Sequence, residues 1–174
     1  MQSTTNKKNV RLAPDFEETP SLHDFEVFKG LSRSDVNRLV GAGLIRSVDR
    51  GKMLFRKGDI GEDVFLVLKG TVQIVDEYDN HKKVLAELGP GEFFGEMSMI
   101  EKAHKRSVHA VVKEPSQILV LRNNVLNKLI DNKMPKRFLK NIIGVLCRRI
   151  HANKNMYMRA RYYDKSSKDV NWQG

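Results

Sequence analysis

Glu96 and Arg106 stand ten residues apart, with Gly95 directly before the carboxylate and Ser107 directly after the guanidinium. A carboxylate accepts hydrogen bonds from sugar hydroxyls, and a guanidinium forks onto phosphate oxygens. Between them, Phe94-Gly95-Glu96-Met97-Ser98 opens a short apolar turn. The backbone amides in the first turn of a helix attract an anion. The Ser107 hydroxyl adds a further phosphate or base contact. These groups suit a small cyclic phosphodiester: amides and guanidinium for the phosphate, carboxylate for the ribose. The candidate ligand-binding set is Phe94, Gly95, Glu96, Met97, Ser98, Arg106 and Ser107, with no catalytic role assigned. Taken singly, Glu96 and Arg106 are ordinary surface charges. Their spacing and flanking sequence carry the reading.

Such groups need a rigid frame, and the middle of the chain supplies one. Leu44–Val48, Met53–Arg56, Val64–Leu68, Thr71–Val75, Val84–Leu88, Val108–Val112 and Ile118–Leu121 are short runs rich in β-branched and large apolar residues. Turn formers separate them, among them Arg50-Gly51, Lys57-Gly58-Asp59, Lys69-Gly70, Asp79-Asn80 and Gly89-Pro90-Gly91. Many short strands at close spacing predict a mainly β fold, an antiparallel jelly-roll barrel. A short phosphate-binding helix interrupts it at Gly95–Ile100. Before the strands, Ser32 or Ser34 caps a helix through Val36, Leu39 and Val40. After them, Asn123 or Asn124 caps another.

Pro135 then opens a long helix. Along it Leu139, Ile142, Ile143, Leu146, Ile150, Asn153 and Tyr157 form one stripe at spacings of three and four. That stripe needs cover, from the barrel mouth, from a second copy, or from both. Residues 1–20 are expected as a flexible arm, 21–132 as the β domain with its flanking helices, 133–164 as the long helix and 165–174 as a tail.

The net charge of +10 is concentrated there: residues 133–169 hold eleven Lys/Arg against two Asp. Such a stretch suits nucleic acid or an anionic membrane surface, or is the solvated face of a helix, which is the preferred reading. No apolar run approaches the length of a membrane span, and the N-terminus lacks the apolar core of a signal peptide. The one cysteine, Cys147, excludes an internal disulfide. A cytoplasmic setting is expected.

The chain resembles the cyclic nucleotide-binding domain shared by catabolite activator proteins, regulatory subunits of cyclic-nucleotide-dependent kinases and cyclic-nucleotide-gated channels. The likeness runs from about Phe25 to Asn153. It rests on Phe28-Lys29-Gly30-Leu31-Ser32, on Phe55-Arg56-Lys57-Gly58-Asp59 after Gly51, on Phe65-Leu66-Val67-Leu68-Lys69-Gly70, and on Gly89-Pro90-Gly91-Glu92-Phe93-Phe94-Gly95-Glu96. The resemblance implies that Glu96 accepts from the ribose 2′-hydroxyl, that Arg106 pairs with the cyclic phosphate, and that Ser107 assists. It also implies a lid on the long helix. Asn153 either contacts the base from there or sets the register of a helix pair. Lys105 and Val108 depart from the family's usual Pro and small residue, without removing a group the chemistry needs. In the family a hydroxyl directly after the arginine occurs in cyclic-GMP-selective members, usually as Thr, and Ser there also occurs in cyclic-AMP receptors. The resemblance implies cyclic AMP or cyclic GMP as the regulatory ligand, with cyclic AMP preferred.

The implied function is a non-enzymatic sensor, relaying occupancy through its last helix to a partner or to a homodimer. Only residues 165–174 follow that helix, too few for a DNA-reading module, so sequence-specific DNA binding is not expected. A jelly roll that no longer binds nucleotide is the alternative. A cupin-type metalloenzyme is a more distant one, since His23, His81, His104, His109 and His151 include no His-x-His pair. No metal is expected.

Overall fold

The computed structural model describes residues 22–78, 81–97, 105–131 and 136–169. The expected arm and residues 98–100 of the expected phosphate-binding helix lie outside them, as does Pro135. Two 3-10 turns, Leu22–Asp24 and Glu26–Phe28, lead into helix α1 (Arg33–Ala42). Ser32 caps α1: its hydroxyl accepts from the Asp35 amide at 3.1 Å and donates to the Asp35 carboxylate at 2.7 Å. Among the described residues eight strands follow: β1 (Leu44–Val48), β2 (Met53–Phe55), β3 (Val64–Lys69), β4 (Val72–Tyr78), β5 (His81–Leu88), β6 (Phe93–Phe94), β7 (His109–Val112) and β8 (Ser116–Leu121). Helices α2 (Asn123–Asp131) and α3 (Lys136–Asp169) come after them.

The strands form two four-stranded antiparallel sheets, ordered β1-β8-β3-β6 and β2-β7-β4-β5. The mainly β class with flanking helices is as expected, but the barrel is not closed. Each sheet ends on edge strands. β6 has only two residues and β5 carries Lys82 and Lys83, both of which discourage further pairing. The molecule is therefore a sandwich with a helical layer on one side.

β3 explains the layering. Its five apolar residues, Val64 to Leu68, are all buried, and side chains along a strand alternate between faces. Val64, Leu66 and Leu68 join Phe25, Phe28, Val36, Leu39 and Phe138 in a core beneath the helices. Phe65 and Val67 face the other way, packing with Phe55, Val72, Leu88 and Ala110 of the second sheet. One continuous apolar run thus serves two cores, as strands buried on both sides do.

α3 lies on the helical core. Phe138 stacks on Phe28 with ring centroids 6.4 Å apart, and Ile142, Val145 and Leu146 pack beside it. Asn141 fastens the helix: its Nδ2 donates to the carbonyls of Val27 at 3.2 Å and Lys29 at 3.0 Å. The predicted stripe divides in two. Ile142 and Leu146 turn inward, while Leu139, Ile143 and Ile150 remain exposed, Ile150 at 65%.

Asn141→Ala should remove both bonds to the preceding turn. Leaving the carbonyls unpaired costs about 1–3 kcal/mol. The fall will appear in the urea midpoint; an unchanged midpoint would show that packing alone holds the helix.

Candidate functional site

Arg106 belongs to the short buried polar set of the molecule, at 6% exposure. The chain around it is anchored twice: the Arg106 amide donates to the Asp59 carbonyl at 2.8 Å, and the Gly58 amide donates to the Arg106 carbonyl at 2.8 Å. Ile60 and Lys105 bridge beside this pair. The turn after β2 and the segment entering β7 are therefore laced together, and the arginine side chain leaves from between them.

Its guanidinium is oriented from two directions. Nη1 donates to the Gly95 carbonyl and Nη2 to the Asp63 carbonyl, each at 2.9 Å. Below it lie the rings of Phe55 and Phe65, with centroids 4.4 and 5.5 Å from the guanidinium carbon. These rings form a cluster with Phe94, at centroid separations between 5.2 and 6.0 Å. Burial lowers the Arg106 pKa from its ordinary value, against the raising influence of Asp63, Asp59 and Glu96. A guanidinium stays charged even so, because its ordinary pKa lies far above neutrality. A fixed cation results, with Glu96 among the carboxylates that act on it.

Gly95 is where the backbone must approach this cation. Its φ is +85°, a conformation that side-chain-bearing residues disfavour. A Cβ there would lie 2.8 Å from Arg106 Nη1 and 2.9 Å from the Asp63 carbonyl oxygen. Gly61 is also close, since its added Cβ would stand 3.1 Å from Arg106 Nη2.

The predicted site residues fall as follows. Gly95 and Arg106 are in direct contact. Glu96 is half-buried in the turn after Gly95, Met97 is 53% exposed, and Ser107 is exposed. Phe94 sends its ring into the sandwich beside Phe65, so only its backbone faces the turn. Ser98 lies outside the described residues. Asn153 lies on α3, in a stretch whose side chains lie outside them. The carbonyl of Asp63 and the rings of Phe55 and Phe65 were not anticipated. A carbonyl leaves no mark on residue type. The two phenylalanines did have one, an apolar residue in each of two strands flanking the charged turn at 56–63, which the sequence reading placed in strands without giving them a part in the site.

Comparison with known proteins places this region in a family. The family model described as "Cyclic nucleotide-binding domain" matches residues 45–133. The cyclic AMP receptor protein of Thermus thermophilus is 33% identical over 125 residues, which cover 71% of this chain and 56% of the receptor. Among solved structures, the catabolite activator protein of Thermus thermophilus superposes with a TM-score of 0.67 at 29% identity, covering 78% of this chain and 63% of that one. A cyclic nucleotide-binding domain from Methylobacillus flagellatus gives 0.70 at 25% identity, with 80% and 79% covered. The chain belongs to the cyclic nucleotide-binding domain family. It spans somewhat over half the length of the curated receptor it matches.

Gly95→Ala should strain the turn and push against the Arg106 guanidinium. The strained backbone alone costs about 1–3 kcal/mol. Thermal unfolding should show a lower midpoint; a native midpoint would mean the turn accommodates a side chain freely.

Proposed function

We propose that this protein is a cytoplasmic, non-enzymatic sensor of a cyclic mononucleotide, cyclic AMP in preference to cyclic GMP. The observation that carries the reading is the buried Arg106 guanidinium, held in a fixed plane beside Gly95 and Glu96. A fixed cation in a partly desolvated site binds a phosphate more strongly than a surface charge does, because nothing must be reorganised. In this reading Arg106 takes the cyclic phosphate with the amides of residues 94–98. Glu96 accepts from the ribose hydroxyl, Ser107 assists, and Asn153 reaches the base. No metal enters the chemistry.

The output passes through α3. The Arg149 guanidinium lies 4.9 Å from the Phe93 ring centroid and 3.9 Å from Glu92 Oε1, and Arg148 pairs with Glu26. Phe93 and Phe94 form β6, which runs directly into Gly95. A movement of the 95–106 segment therefore pulls on a strand that the helix grips. Next to these contacts lies a cavity of about 420 Å³ between residues 24–26, 90–92 and the 145–152 portion of α3, which leaves the helix room to shift. The ligand shifts this equilibrium only in so far as it binds one helix position more tightly. Residues 21–132 act as the sensing unit and 133–164 as lid and dimerisation helix, between the arm at 1–20 and the residues from 165 on, of which 165–169 continue α3 rather than start a tail. The exposed Leu139, Ile143 and Ile150 recur at spacings of four and seven, suited to pairing with a second copy.

The binding reading is tested by thermal shift with cyclic AMP, cyclic GMP and 5′-AMP. A cyclic nucleotide at a hundred times its Kd adds about 2.7 kcal/mol, several degrees in this size range. Arg106→Ala should abolish the shift, since truncating one member of a desolvated charge pair costs about 2–5 kcal/mol. No shift with either cyclic nucleotide would end the reading. The dimer is tested separately by light scattering: Ile143→Glu with Ile150→Glu should convert twice the chain mass to one. A wild type that is monomeric with and without nucleotide would remove the dimer and leave the sensor.

A further inference from the structure

We propose that Phe55 is a positioning residue for Arg106, its ring acting as the floor that fixes the guanidinium plane for phosphate. The proposal rests on the reading of Arg106 as the phosphate group of the site.

Two neutral carbonyls fix the guanidinium at its terminal nitrogens, those of Gly95 and Asp63. A flat surface in contact with the plane opposes tilting of the guanidinium out of it. Phe55 provides one, with its centroid 4.4 Å from the guanidinium carbon, inside the range of a cation–π contact. The attraction is strongest where both partners are out of water, and here Arg106 is 6% and Phe55 9% exposed.

The placement of the ring is built into the strands. Phe55 ends β2 opposite Ala110 of β7, and the register slips between Met53 and Phe55. A bulge of this kind re-aims a side chain. Ala110 is fully buried and small, so it adds little bulk beside the ring. The Phe55 ring is itself braced by Phe65 at 5.5 Å and Phe94 at 6.0 Å, both from the other sheet. Arg106 therefore rests on both sheets at once: on Phe55 of one and, at 5.5 Å, on Phe65 of the other. A residue that only filled the core would need bulk, whereas a floor needs a face.

Phe55→Met separates these, because methionine keeps most of the apolar volume and adapts to the gap but has no ring face. Two measurements are made on the intact chain. Calorimetry with cyclic AMP and cyclic GMP should show affinity about tenfold weaker than wild type, with the fold checked by circular dichroism. Nitrogen relaxation of the Arg106 Nε–H, recorded without nucleotide, should show an ordered side chain in the wild type and a mobile one in the variant. Native affinity in Phe55→Met overturns the proposal. So does weakened affinity with Arg106 order unchanged, since that is a packing effect. If Phe55→Met does not fold, Phe55→Leu replaces it under the same two criteria, since leucine is also apolar and has no ring face. Failure of the wild type to bind either nucleotide would remove the phosphate role of Arg106, while the relaxation arm would still decide whether Phe55 holds the side chain.

Discussion

A guanidinium taken out of water is the constraint around which this molecule is arranged. Burying an ion costs several kcal/mol even after relaxation, and a sandwich has no need of one for stability. Arg106 accepts that cost with partners of three kinds: backbone carbonyls of Gly95 and Asp63, ring faces of Phe55 and Phe65, and the nearby charges of Asp63, Asp59 and Glu96. Each comes from a different part of the chain. The turn at 56–63, β3, the segment after β6 and the entry to β7 must all be in place before the cation is tolerated.

The charge pattern outside the site fits the same logic of local pairing. Lys57 donates to Asp76 at 2.7 Å and Lys113 to Glu87 at 2.7 Å. Both carboxylates are held below their ordinary pKa, chiefly by these hydrogen bonds. They are solvent-exposed, so they trim the strands without governing them. Lys57 lies beside the 58–63 turn and ties it to β4, a modest brace for the loop that carries Asp59 and Asp63.

Much of this was legible in residue order. Val64–Leu68 was readable as a strand, and Ser32, with Ser34 as the alternative, as the cap of α1. Gly95, Glu96 and Arg106 announced a site, because residue type and spacing bear directly on ion chemistry. Three things were not. β6 is two residues long, below the length at which alternation can be counted. The first half of β5, His81-Lys82-Lys83, is charged, and only pairing with Asp76, Glu77 and Tyr78 makes it a strand. Closure of the sheets depends on hydrogen bonds between strands distant in sequence, so short strands at even spacing describe a barrel and an open sandwich equally well. At the site, the Asp63 carbonyl was invisible for a different reason: any residue at that position supplies it.

Position along the chain also explains why site and long helix are suited to communicate. Among the described residues β6 pairs with β3 alone, through Phe94 opposite Phe65 and Phe93 opposite Leu66. Its two rings point to opposite sides, as alternation requires. Phe94 goes down to the aromatic cluster that carries Arg106, and Phe93 goes up into the helical core where Arg149 covers it. A displacement of Gly95 toward a ligand therefore acts on both cores through one short, weakly paired strand. A long strand with several partners would resist such a displacement, since each added residue pair must be broken or shifted together. The brevity of β6, which hid it from pattern reading, is what suits it to carry a movement from the anion site to the helix.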